Sequence, residues 1–84
     1  MPLYFFHLRN GTDTILDPEG SETATDAVAG KALWQARDCM AGDVKSGSID
    51  LGYRIDVHDE AGEKVHSIAF VDALEIIPAN PNAS

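Results

Sequence analysis

Apolar and polar positions alternate with three different rhythms along these 84 residues. Leu3-Tyr4-Phe5-Phe6-His7-Leu8-Arg9 is aromatic-rich, which predicts a strand. Asn10-Gly11 follows, the dipeptide that best suits a type I′ turn because both of its central residues need positive φ. A two-residue loop there sets Phe6 opposite Ile15 and Phe5 opposite Leu16. Pro18 and Gly20 then stop the return strand, Thr12 to Asp17.

From Ala24 to about Lys45 the period becomes helical. Val28, Ala29, Ala32, Leu33, Ala36, Cys39, Met40 and Val44 fall on one stripe, with Asp26, Lys31, Gln35, Arg37 and Asp38 elsewhere. Thr23 is placed to cap this helix, with Asp26 three residues on, and Ser46-Gly47 to end it. Tyr53 to His58 alternates cleanly, Asp59-Glu60-Ala61-Gly62 makes a turn, and Lys64 to Phe70 returns. Pairing Asp59 with Lys64 puts Tyr53, Ile55 and Val57 on one face with His66, Ile68 and Phe70. That register buries more apolar area than the one-residue alternative. Val71 to Ile77 fits either a helical turn or a short strand. The expected fold class is α+β: ββαββ, with an antiparallel sheet of about four strands and one long helix packed on one face. Residues 1–77 make a single domain, and 78–84 a flexible C-terminal tail. The expected core is Tyr4, Phe6, Leu8, Ile15, Val28, Ala32, Leu33, Ala36, Met40, Ile55, Val57, Ile68 and Phe70.

This pattern leaves a face of the sheet without a layer. Leu3, Phe5, His7 and Arg9 point away from the helix, and the expected pairing adds Leu16 beside Phe5. Leu3, Phe5 and Leu16 then form an apolar patch. It can be covered by Val71–Ile77 folding back, or by a second chain, most simply a symmetric copy in a homodimer. Trp34 lies off the helical core stripe among Ala27, Gly30 and Ala41. It suits a contact hot spot, but suits better a ring leaning over the core edge with its N–H in water.

Charge narrows the partners. The formal net charge is −8, with six Lys and Arg against fourteen Asp and Glu. The cations are scattered singly, so nucleic acid and anionic membrane surfaces are poor partners. Aromatic sheet faces bind RNA in some small folds, but here the charge has the wrong sign. No run approaches a membrane span, and the short apolar start lacks the features of a signal peptide. Cys39 is the only cysteine, so no internal disulfide is possible, and a cytoplasmic setting is expected.

Candidate chemistry is sparse. His7 and His58 share the outer face with Asp56; two imidazoles and a carboxylate could hold zinc or iron. No paired-His spacing supports that reading. Cys39 sits on the buried stripe and behaves as a small hydrophobe. No nucleophile elbow, phosphate loop or carboxylate dyad occurs. The expectation is therefore no enzyme and no cofactor. The leading reading is a small self-associating or protein-interaction module, and the alternative a small metal or ligand binder using His7, His58 and Asp56.

The opening Tyr4-Phe5-Phe6-His7-Leu8-Arg9, then Asn10-Gly11 and Asp17 to Gly20, resembles a family of short uncharacterised bacterial proteins. An Ala-rich helix, a strand leading into Asp59-Glu60-Ala61-Gly62, and Phe70-Val71-Asp72-Ala73 continue the likeness over about residues 3 to 75. Trp34 departs from the usual pattern. The resemblance implies the fold and a bacterial origin, and brings no activity, cofactor or site residue with it.

Overall fold

The computed structural model describes residues 1–80; residues 81–84, most of the expected tail, lie outside the described residues. Five strands and two helices follow in the order β1 (Leu3–Arg9), β2 (Thr14–Ile15), β3 (Ser21–Glu22), α1 (Val28–Ser46), β4 (Arg54–His58), β5 (Lys64–Ala69) and α2 (Phe70–Ala73). A 3₁₀ turn, Thr25–Ala27, leads into α1. The sheet is antiparallel in the order β2-β1-β4-β5, and β3 also pairs with β1. The expected α+β architecture, one long helix on a mostly four-stranded sheet, is the architecture found.

The first hairpin is longer than expected. Leu8 pairs with Ile15 and Arg9 with Thr14, so residues 10–13 form the loop. Gly11 does not adopt the positive φ of a type I′ turn. Instead the Asn10 carboxamide oxygen accepts hydrogen bonds from the backbone N–H groups of Thr12, at 2.8 Å, and Asp13, at 2.6 Å. An Asn side chain that imitates a backbone turn competes with the tighter two-residue loop. The register therefore moves by two residues. Leu16 is then no longer opposite Phe5, whose other edge pairs with His58, and Ile15, expected in the core, is 58% exposed.

β2 and β3 share one edge of β1 at its two ends. In the gap between them the Asp17 side chain completes the edge: it accepts from the Phe6 N–H at 3.2 Å and the Gly20 N–H at 3.1 Å. Gly20 has φ 72°, and a Cβ there would lie 2.9 Å from the Tyr4 carbonyl oxygen and 3.0 Å from the Phe5 ring. Only glycine fits so close to β1 in that conformation.

Thr23 does not cap α1. Its N–H still donates to the Pro2 carbonyl at 3.0 Å, extending the β3–β1 ladder, so the helical turn starts only after it. Gly47 ends α1 as expected, with φ 101° and its N–H directed at the carbonyls of Asp43 and Val44.

β4 and β5 take the expected register from Arg54↔Ala69 to Val57↔His66, then slip by one at a bulge so that His58 meets Lys64. The core lies between the sheet and α1: Tyr4, Phe6, Val28, Ala32, Ala36, Met40, Ile55, Val57 and Phe70 are buried, as expected, with Leu8, Leu33 and Ile68 packed at its margin. Ala73, buried on α2, joins them. α2 packs against α1 and β5, and the Arg37 Nε–H donates to the Ala73 carbonyl at 2.8 Å. Val71–Ile77 thus leads to the helix side and does not fold back over the outer face. Its later residues Ile76 and Ile77 are exposed.

Candidate functional site

The outer face of the central strands gathers the chain's most unusual polar group. Antiparallel pairing of β1 with β4 sets Phe5 opposite His58, His7 opposite Asp56, and Arg9 opposite Arg54. Directly opposed like charges are unfavourable across a sheet. Asp56 relieves the arginine pair, because it lies two residues from Arg54 on the same face. Its carboxylate accepts from Arg54 Nε at 3.2 Å and from the Ser67 hydroxyl at 2.7 Å, and lies 3.7 Å from Arg9 Nε. Asp56 is only 1% exposed. Burial by itself pushes its carboxyl up; the hydrogen bonds from Ser67 and Arg54, with the charges of Arg54 and Lys64, outweigh it and hold it below the ordinary carboxylate value.

His7 and His58 lie beside this group with ring centroids 5.0 Å apart, and Phe5 stacks against His7 at 6.3 Å. The Asp17 N–H donates to His7 Nδ1 at 3.0 Å, which fixes that nitrogen as an acceptor and the ring as neutral. Burial, then the neighbouring His58 and Arg9, lower the proton affinity of His7, against the weaker pull of Asp17 and Asp56. At the other end of the face the Glu60 carboxylate accepts from the Leu3 N–H at 3.2 Å. An open groove of about 390 Å³ runs between these ends, lined by Phe5, His7, Arg9, His58, Asp59 and Glu60 among others.

The structure therefore brings His7, His58 and Asp56 onto one surface, as the sequence pattern expects. It does not make them a metal site. Asp56 is engaged by arginine and serine, His7 Nδ1 is engaged by the Asp17 N–H, and among the described residues no group of three or more His, Cys, Asp or Glu is placed to hold a metal ion. Nothing supports the metal-binding alternative.

The apolar patch changes too. Leu3 and Phe5 are half-buried, Phe5 against Gly20, while Leu16, expected beside Phe5, is not its cross-strand neighbour and is 62% exposed. Trp34 projects from α1 at 65% exposure, away from this surface. Cys39 is half-buried against the core, and burial with Asp43 and Asp38 pushes its thiol up, the reverse of an activated nucleophile. Arg9, Arg54, Asp17, Ser67 and Glu60 were not singled out by sequence reasoning. Alternation places Arg9 with His7 and Arg54 with Asp56, but only the β1–β4 pairing, invisible in the pattern, puts the two pairs together. A smaller crevice of about 210 Å³ opens on the helix side between Tyr4, Thr25, Val28, Ala29, Val65 and His66.

No curated protein and no solved structure matches the chain. The family comparison is positive: residues 3–71, the strands, α1 and the start of α2, match one family over most of the chain. That family carries no assigned activity. The chain belongs to the family described as Domain of unknown function (DUF6894).

Proposed function

We propose that this domain is a non-catalytic interaction module that self-associates through the outer face of its sheet. The observation that carries the reading is the uncovered face: α1 and α2 both pack on the opposite side, and Leu74 after them packs at the core margin. A second copy is the occupant that its charges fit. Arg9 stands at one end of the groove with Arg54 opposite it on β4, and Asp59 and Glu60 at the other, with Lys64 opposite His58 removing one negative charge from that end. The ends are about 20 Å apart by strand rise. A two-fold axis through the middle of the face lays each arginine pair over the partner's acidic turn, twice. Self-complementarity of this kind is what an isologous dimer requires. Phe5, His7 and His58 fill the centre, where association energy concentrates. A cytoplasmic, bacterial setting belongs to the same proposal and rests on the lone cysteine and the sequence resemblance. Among the described residues, no helix is long and apolar enough to cross a membrane.

Sedimentation at several concentrations tests this. The expected result is a reversible dimer, reduced to monomer by Phe5→Glu and unaffected by Val44→Glu on the helix, with circular dichroism confirming both folds. A wild-type monomer at every concentration, or a Phe5→Glu variant that dimerises as well as wild type, overturns it.

A further inference from the structure

Resting on that self-association, the geometry points to proton control of the dimer: protonation of the His7–His58 pair drives the two copies apart. The pair lies midway along the groove, so the two-fold brings four imidazoles together at the centre of the interface. Neutral, these rings and Phe5 form a cluster with little net charge. Protonated, they place like charges against one another and beside Arg9 and Arg54, where water is excluded and repulsion is strong.

The groups facing the pair make His7 the sensitive member. On its own strand stands Arg9; on β4, Arg54, Asp56 and His58; on β5, Lys64 and Ser67; in the connecting loop, Asp17; in the β4–β5 turn, Asp59 and Glu60. Asp56 could stabilise an imidazolium, but it already serves Arg54, Ser67 and Arg9. A proton on His7 Nδ1 also meets the Asp17 N–H, donor against donor. The segment that holds Gly20 against Phe5 must then shift, and the centre of the face shifts with it. The third histidine, His66, pairs with Val57 on the inner face and takes no part. The bulk effect of acidification has the opposite sign. Protonating all three histidines reduces the magnitude of the −8 net charge and weakens general repulsion between copies. Loss of association in mild acid is therefore specific to the pair.

The experiment measures the dimer dissociation constant at about pH 7.5 and about pH 5.5, an interval in which ordinary imidazoles titrate and carboxylates do not. The expected change is a weakening of several-fold for each imidazole whose proton affinity differs by about one unit between dimer and monomer, with about tenfold as the limit. His58→Phe should flatten the response to pH whatever dimer strength it leaves at the higher value, and His66→Gln should leave the response intact. His7→Asn, whose side-chain oxygen can still accept from Asp17, provides the same test should His58→Phe fail to fold. A dimer equally tight at both values, or a wild-type response in both His58→Phe and His7→Asn, overturns this inference alone. Absence of any dimer at the higher pH overturns the self-association as well.

Discussion

Asp56 is the residue on which the outer face depends. A buried carboxylate holds two arginines that would otherwise repel across adjacent strands, and a serine hydroxyl from a third strand closes the group. Asp56→Ala removes every one of those bonds at once. The relief of burying a charge offsets part of the loss, and the arginines are partly solvated, so the expected cost is about 2 kcal/mol in urea denaturation. The acid response should be divided between two residues. His7 holds its proton less tightly in the folded chain than the ordinary value of 6.5. Its contribution is complete above that value and declines as the pH falls through it, because the unfolded chain takes up the proton first. Asp56 is held below its ordinary 3.8, so its contribution is present above that value and disappears as the pH falls further. Stability should fall in two stages. Asp56→Ala should abolish only the more acidic one, and His7→Asn only the milder. The facing of these residues was legible in the sequence, because alternation along a strand fixes sidedness. Their partners were not, because Arg9, His7 and Asp56 meet only through a strand order that no local pattern encodes.

At the scale of elements, the longest pattern was the most secure. Nineteen residues of α1 offer five turns over which an apolar stripe can repeat, and Val28, Ala32, Ala36 and Met40 are buried in consequence. β4–β5 was equally readable down to Val57↔His66, because one face had to be buried and a slip would have exposed it. The first hairpin was misjudged by two residues. A two-residue shift preserves sidedness, so hydrophobic patterning could not oppose it; the decision fell to the Asn10 side chain. β3 is two residues long and has no pattern at all. It is held by position: Gly20 passes so close to β1 that a methyl group would strike the Tyr4 carbonyl and the Phe5 ring. Gly20→Ala should therefore cost about 1–3 kcal/mol, from positive φ and crowding together. It should also broaden the amide resonances of Phe6 and Asp17, read by nuclear magnetic resonance. Unchanged stability would mean that the 16–22 segment does not bear on β1 as described.

For the whole molecule, one helical layer on one side of the sheet leaves the other side to be explained. Alternation along the strands already sets Phe5, His7, Arg9, His58 and Asp56 on that side, and the β1–β4 pairing brings them together there. Leu16 is elsewhere, while His7 and His58 lie at the centre with Phe5, and Arg9 and Arg54 at one end. Of Val71–Ile77, Ala73 is buried beside α1 and Leu74 packs at the core margin, while Ile76 and Ile77 are exposed. On the proposed reading, the charge division along the groove fits a second copy as occupant. Dilution followed residue by residue in amide and histidine-ring resonances tests this most directly, because it reports association and locates it in one measurement. The account predicts concentration-dependent shifts at Phe5, His7, Arg9, Arg54, His58 and Glu60, with Trp34, Ala41 and Val44 unmoved. Spectra that do not change with concentration, or changes confined to the Trp34 face of α1, would contradict it.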